Sequence, residues 1–183
     1  MMRVAVSGFT GCGATTVTKL VARRLRLKRV NYTFHDLARE RKIPFELLQF
    51  VKIEREFPYW DLLLDGKQVA RVAKTPRCIV GSRLAVWLDG PVAKKIKKRV
   101  VLDARFWLEV PLRVRAKRVA KREGKLFAQA LKETRLRDKN NAARYGKLYG
   151  IDVRKRPKGT ITIDAERLDA KGVADAIVRR LGK

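Results

Sequence analysis

The feature that most constrains this chain is the segment 4–16, which reads V-A-V-S-G-F-T-G-C-G-A-T-T. An apolar run at 3–6 predicts a short strand, a glycine-rich turn opens at Gly8, and an amphipathic helix is predicted to begin at Thr15. The spacing from Gly8 to Thr15 fits G-x-x-x-x-G-K-[ST], a phosphate-binding loop, at every position but one. Ala14 stands where that pattern has lysine.

A glycine-rich turn before a helix can bind phosphate through its backbone. Glycines tolerate backbone angles that let successive N–H groups point inward at a helix N-terminus. The predicted phosphate-binding residues are Gly8, Gly11, Cys12, Gly13, Ala14, Thr15 and Thr16. If ATP binds, the Thr15 hydroxyl is the candidate Mg²⁺ ligand, and efficient phosphoryl transfer needs a cation other than the missing lysine. The alternative is a strand-to-helix turn without a ligand.

Length and composition indicate one domain in a reducing compartment. The 183 residues suit a single unit over 1–183, and no apolar run reaches the roughly 18 residues of a membrane span. Cys12 and Cys78 show neither metal-binding spacing nor a disulfide framework. We therefore expect a cytoplasmic protein with no membrane partner.

The net charge of +27 arises from 45 Lys and Arg against 18 Asp and Glu. A surface with one sign in such excess repels itself unless a polyanion neutralises it, and nucleic acid is the polyanion we expect. The candidate RNA-binding residues are Arg23, Arg24, Arg26, Lys28, Arg29, Lys94, Lys95, Lys97, Lys98, Arg99, Arg154, Lys155, Arg156 and Lys158. The alternative is a solvated basic surface with no partner.

Strands and helices are predicted to alternate along the chain. The predicted strands cover 3–6, 30–34, 77–80, 102–110 and 160–163. The predicted helices begin at Thr15 and cover 36–41, 45–57, 60–73, 113–123, 125–140, 142–149 and 172–181. This alternation is typical of an α/β sandwich around a mostly parallel sheet.

Three stretches within 110–152 carry a family resemblance: V-P-L-R-V-R-A-K-R-V-A-K-R-E-G, E-T-R-L-R and A-R-Y-G-K-L-Y-G-I-D. The chain resembles the archaeal-type cytidylate kinase family, within the P-loop nucleoside monophosphate kinases, over nearly its whole length. The resemblance implies a three-layer α/β sandwich, with a mostly parallel five-stranded sheet, helices on both faces and an arginine-rich helical lid over about 111–150. Arg118, Arg122, Arg135 and Arg144 match basic lid positions, and the first three would be catalytic in an active enzyme.

The acceptor side departs from the family pattern. Phe34-His35 replaces a Phe-Arg pair, Asp65-Gly66-Lys67-Gln68 replaces Asp-Arg-Arg-Gln, and Gly81-Ser82-Arg83 keeps only the arginine of Glu-Gly-Arg. Relatives often have Thr where this chain has Ala14. Arg83 is the candidate acceptor-binding residue, with His35 as a mostly neutral substitute for the family arginine.

Two hypotheses follow from these features. The charge and the altered acceptor segment favour a non-catalytic descendant that binds structured RNA as a ribosomal or ribosome-associated protein, with ribosomal proteins as neighbours and no cofactor. The alternative is an active kinase that uses ATP and Mg²⁺ to phosphorylate CMP or dCMP. Nucleotide binding without turnover is compatible with either.

Overall fold

The computed structural model describes residues 1–48 and 55–182, and it contains a five-stranded parallel sheet in the order β2-β3-β1-β4-β5. The strands are β1 (Met2–Gly8), β2 (Lys28–Val30), β3 (Arg77–Gly81), β4 (Ala104–Glu109) and β5 (Thr160–Asp164). Parallel strands need crossover connections, and helices provide them here. The predicted α/β class and the parallel five-stranded sheet are confirmed.

Eight α-helices lie within the described ranges. They are α1 (Ala14–Arg24), α2 (Phe34–Glu40), α3 (Phe45–Leu47), α4 (Tyr59–Lys74), α5 (Ala93–Ile96), α6 (Leu112–Glu123), α7 (Phe127–Tyr149) and α8 (Ala170–Arg180). Short 3₁₀ and π-type turns at Ala85–Trp87 and Leu88–Val92 precede α5. Residues 49–54 of the helix predicted over 45–57 lie outside the described residues. No helix in the described parts of the chain has the length and hydropathy to cross a membrane.

Apolar side chains cover both faces of the sheet, as expected for parallel strands buried on two sides. On one face, Val4 and Val6 of β1 pack in a cluster that includes Val17 and Val21 of α1 and Ile177 of α8. The other face presents Ala5, and its cluster includes Val69 and Val72 of α4 and the tryptophans at 87 and 107. The sheet therefore lies between two layers of helices, and the observed architecture has three layers.

Two element boundaries differ from the sequence predictions. The strand predicted over 30–34 ends at Val30 because Thr33 caps α2: its hydroxyl accepts from the Asp36 N–H while the Asp36 carboxylate accepts from the Thr33 N–H. These two bonds satisfy N–H groups at the helix start, which favours a helix over further strand. The helices predicted over 125–140 and 142–149 form one continuous helix, α7, because Asn141 does not interrupt it.

We predict that Leu88→Ala lowers the free energy of unfolding by about 2–5 kcal/mol, because truncating a fully buried leucine leaves a cavity in the core. Leu88 has no exposed surface, whereas Leu126 is 78% exposed. The matched variant Leu126→Ala is expected to change stability by about 0.5 kcal/mol or less. Urea unfolding followed by circular dichroism measures both, and equal losses would show that this core assignment is wrong.

Candidate active site

A cleft of about 420 Å³ opens at the carboxyl ends of β1 and β3, which are adjacent in the sheet. Ligands of open α/β sheets characteristically bind at this edge. Its walls are the glycine turn, the segment before α2, one face of α4, the turn after β3, and residues of α6 and α7. The lining side chains used below are Thr10, Thr15, Tyr32, Asp61, Asp65, Gln68, Arg83, Arg122, Arg137, Asn141 and Arg144.

The glycine turn has the backbone shape that the sequence predicts. Gly11 and Gly13 have φ values of +82° and +94°, a conformation that side-chain-bearing residues rarely adopt. A Cβ at Gly8 would lie 2.7 Å from the Cys12 sulfur, so glycine is also required for close packing there. Helix α1 begins directly after Gly13 with its N-terminus at the cleft, where the helix dipole favours an anion.

A buried ion pair fixes this turn through the backbone of Thr10. Arg115 of α6, 5% exposed, donates to the Thr10 carbonyl at 2.8 Å and to the Asp138 carboxylate of α7 at 2.7 Å. The other Asp138 oxygen accepts from the Thr10 N–H at 3.0 Å. Both backbone groups of Thr10 are thereby fixed to α6 and α7. Sequence reasoning missed Arg115 and Asp138, because no local pattern distinguishes them from the many other charged residues.

Besides Arg83, three arginines from α6 and α7 line the cleft: Arg122, Arg137 and Arg144. Arg122 and Arg137 both bond to Glu123, and hydrogen bonds from Arg122 first, then Arg137 and Lys125, lower the pKa of Glu123 to about 2. This carboxylate holds the two guanidinium groups near each other and stays ionised at neutral pH. Together, these cations can provide the positive charge that Ala14 lacks.

The other nominated lid arginines lie elsewhere. Arg118 donates to the backbone carbonyls of Cys12 and Ala165, so it ties α6 to the glycine turn and to the end of β5. Arg135 is exposed and does not line the cleft. Arg137 was missed and Arg144 was noted only as a lid match. Their spacing with Asn141, at i, i+4 and i+7 on α7, is the pattern that could have identified this face.

The acceptor side is organised by a chain of hydrogen bonds. The Ser7 hydroxyl donates to the Ser82 carbonyl at 2.8 Å, and the Ser82 hydroxyl donates to Gln68 Oε1 at 3.2 Å. These bonds fix the turn after β3, which places Arg83 in the cleft wall. His35 is not in that wall: its exposed ring stacks on Phe45 with ring centroids 3.5 Å apart. The structure therefore brings Arg83, but not His35, to the candidate site.

Two carboxylates on α4 face the cleft in different states. Asp61 forms an ion pair with Arg144 of α7. Asp65, 7% exposed, accepts a hydrogen bond from the Tyr149 hydroxyl at 2.6 Å and makes no ion pair with any residue in the described ranges. Burial raises the pKa of Asp65 from 3.8 to about 7. A buried carboxyl without a cation is unusual in a cleft lined by arginines.

Comparison with known proteins identifies the family. A family model described as the cytidylate kinase-like family matches residues 3–167. The chain belongs to the cytidylate kinase-like family. Cytidylate kinase 2 of Borrelia garinii subsp. bavariensis is 35% identical over 184 residues, covering 100% of this chain and 97% of the relative. Cytidylate kinase of Archaeoglobus fulgidus is 33% identical over 180 residues, covering 97% and 93%.

Solved structures agree with the cytidylate kinase-like fold. Shikimate kinase from Bacteroides thetaiotaomicron superposes with a TM-score of 0.62 at 14% identity, covering 100% of this chain and 99% of that one. Deoxyadenosine kinase from M. mycoides with bound dATP gives a TM-score of 0.61 at 16% identity, with 100% of both chains covered. At this identity the likeness shows the fold, and it confirms the predicted P-loop kinase architecture.

The prediction of a non-catalytic, RNA-binding or ribosome-associated protein is wrong, because relatives aligned along the whole chain carry cytidylate kinase names. The physical reason is that net charge does not say where the cationic side chains lie or what they contact. Part of the cationic charge lines the cleft, and several nominated RNA contacts pair with carboxylates: Arg24 with Asp175, Arg154 with Asp152, and Arg156 with Glu109. The other nominated residues include Lys94, Lys97, Lys98 and Arg99, which surround a shallow depression away from the cleft.

We predict that Asp138→Ala lowers the free energy of unfolding by about 3–5 kcal/mol, because it leaves the Arg115 guanidinium buried without its partner. Asp175→Ala is the matched control, since it breaks the more exposed pair with Arg24 and should cost about 1 kcal/mol or less. Urea unfolding at pH 7 measures both. Similar losses in the two variants would contradict a special role for the buried pair.

We predict that Asp65→Asn stabilises the protein at pH 8. Between pH 3.8 and about 7, the folded state keeps a proton on Asp65 that the unfolded state releases. The free energy of unfolding is therefore highest below pH 3.8 and falls as the pH rises to about 7. Asparagine can accept the Tyr149 hydrogen bond without this loss. The stability gap between variant and parent should therefore grow from pH 4 to pH 7 and then level off, as measured by urea midpoints. A gap independent of pH would contradict the assignment.

Proposed function

We propose that this chain is an ATP-dependent kinase that transfers the γ-phosphoryl group of ATP to CMP or dCMP. The observation that carries the proposal is the cleft itself, where a glycine turn suited to anions and four arginines line one cavity in a member of the cytidylate kinase-like family. The names of the relatives agree with this substrate class. A cytosolic location, a single domain over 1–183 and a lid over about 111–150 remain predictions.

The glycine turn fits the ATP phosphates. A Cβ at Gly8 or Gly11 would come within 2.9 Å or less of neighbouring atoms, so glycine keeps the backbone close to Cys12 and β4 at position 8 and close to α6 at position 11. The Thr10 hydroxyl, which lines the cleft, is buried without a hydrogen-bond partner in the described chain and can donate to a phosphate oxygen. Backbone N–H groups at the N-terminus of α1 supply the rest of the cradle.

The candidate Mg²⁺ ligand from the protein is the Thr15 hydroxyl, which is exposed at the cleft in the first turn of α1. A single hydroxyl suits Mg²⁺, which keeps several waters and binds mainly through carboxylates and substrate phosphates. When bound, the ion neutralises charge on the β- and γ-phosphate oxygens.

Phosphoryl transfer in this site needs little covalent assistance. An oxygen of the acceptor phosphate, already ionised at neutral pH, attacks the γ-phosphorus. The bond to the β–γ bridging oxygen breaks, and CDP and ADP are released. Catalysis of such a step is mainly positioning and charge stabilisation. In this proposal Arg83, which lines the cleft, holds the acceptor phosphate, while Arg122, Arg137 and Arg144 compensate the charge on the transferring group in place of the absent lysine.

The direct test is ADP formation by the purified full-length chain with ATP, Mg²⁺ and each of CMP, dCMP and UMP. We expect turnover with CMP or dCMP of about 1 s⁻¹ or faster, the usual range for kinases. Turnover should cease on chelation of Mg²⁺. An absence of phosphorylated product with every nucleotide monophosphate would exclude the proposed activity.

We predict that Arg137→Gln lowers kcat by about 100-fold or more, because it removes a preorganised positive group from the cleft. Lys139→Gln is the matched control: it removes one positive charge from the same helix at an exposed position outside the cleft. Its kcat should remain within about twofold of the parent. Equal effects would mean that overall charge, not the position of Arg137, governs the rate.

A further inference from the structure

Asp65 is an acidic residue without an ion pair among the described residues, in a cleft whose glycine turn and arginines favour anions. It lies on the face of α4 that lines the cleft, together with Asp61, Leu64 and Gln68, at spacings of three and four residues. Its Oδ2 accepts from Tyr149, and its Oδ1 has no hydrogen-bond partner among the residues that the structure describes. At 7% exposure, this oxygen is part of a largely buried group that still borders the cavity.

Electrostatics restricts which part of a nucleotide can approach this oxygen. Asp61 is neutralised by Arg144, but no cation pairs with Asp65 within the described ranges. A phosphate beside an unpaired carboxylate would be repelled in this low-dielectric setting. The phosphates therefore belong at the glycine turn and the arginines, and the group beside Asp65 must be a hydrogen-bond donor.

Cytosine and uracil differ at the atom that matters for such a contact. The exocyclic N4 amine of cytosine donates hydrogen bonds, whereas O4 of uracil only accepts them. Once Asp65 is ionised, above its raised pKa of about 7, its oxygens accept only, so they pair with the first group and oppose the second. A substrate that leaves this buried oxygen without a hydrogen bond binds more weakly, so the contact discriminates strongly between the two bases.

We propose that Asp65 is a specificity-determining residue whose Oδ1 accepts a hydrogen bond from the exocyclic amine of the acceptor base, so that cytosine is selected over uracil. This inference rests on the proposed kinase function. Tyr149 is a positioning residue: its hydroxyl donates to Oδ2, which leaves Oδ1 as the oxygen available to a ligand. Gln68, three residues further along α4, is fixed by the Ser82 hydroxyl and by the Tyr32 carbonyl.

The test compares kcat/KM for CMP and UMP in the parent, Asp65→Asn and Asp61→Asn. In Asp65→Asn, an amide N–H can donate to uracil O4, so the CMP/UMP ratio should fall by about 10- to 100-fold, the usual range for one base contact. Asp61→Asn is the matched control because it neutralises the acid one turn away. It should lower kcat for both substrates through Arg144 and leave their ratio unchanged.

A measurement on the parent protein keeps the inference testable if Asp65→Asn does not fold. The monophosphate of pyrimidin-2-one riboside lacks only the N4 amine, and we expect its kcat/KM to be about 10-fold or more below that of CMP. Equal use of the two substrates would overturn the inference. So would a folded Asp65→Asn variant with an unchanged CMP/UMP ratio, or one in which only the CMP/dCMP ratio changes, since that result assigns Asp65 to the ribose.

Failure of the proposed function is distinguishable from failure of this inference. If the parent phosphorylates no monophosphate, the kinase proposal fails, and equilibrium dialysis of labelled CMP and UMP then tests base selection by binding alone. We expect tighter binding of CMP in the parent and loss of that preference in Asp65→Asn. Equal binding of CMP and UMP by the parent would overturn the inference whatever the catalytic result.

Discussion

The candidate site depends on the buried pair between Arg115 and Asp138, which fixes the glycine turn to α6 and α7 through both backbone groups of Thr10. Glycines such as Gly11 and Gly13 can adopt many backbone conformations in the unfolded chain, so ordering this turn costs conformational entropy. The hydrogen bonds to Thr10 offset that cost. The same pair joins α6 to the middle of α7. One interaction thus positions both the phosphate-binding backbone and the helices that carry the arginines.

Charge in the cleft is distributed rather than concentrated on one lysine. Ala14 leaves the backbone of the glycine turn intact, and the positive charge in the cleft comes from Arg83 and from arginines on α6 and α7. Each of the latter is held by a carboxylate, Arg122 and Arg137 by Glu123 and Arg144 by Asp61. These carboxylates limit the motion of long side chains before a substrate binds, which reduces the ordering that binding would otherwise require. Asp65 differs because a tyrosine, not an arginine, is its partner.

The large net charge was a poor guide to function. It correctly indicates that the molecule meets anions, but it does not say whether the anion is a polymer on the surface or a phosphate in a cavity. Arg154 and Arg156 show the difficulty, because both lie in a basic loop and both pair with carboxylates. The departures from the family pattern at 34–35, 65–68 and 81–83 are also a poor guide to function. Arg83 still reaches the cleft, and the position of His35 on the surface means that its identity says little about the acceptor.

The sequence by itself determined the glycine turn, the α/β class, the five strands and the family, because each depends on local spacing or on patterns that span the whole chain. It also identified Arg83 and Arg122, which the structure brings to the cleft. Only the tertiary structure separated Arg137 and Arg144 from Arg118 and Arg135, since these four differ in which face of a helix meets the cavity. Asp65 and Tyr149 are 84 residues apart, and their contact exists only because α4 packs against the end of α7. Such pairings follow from how helices pack across the sheet, which no local spacing encodes.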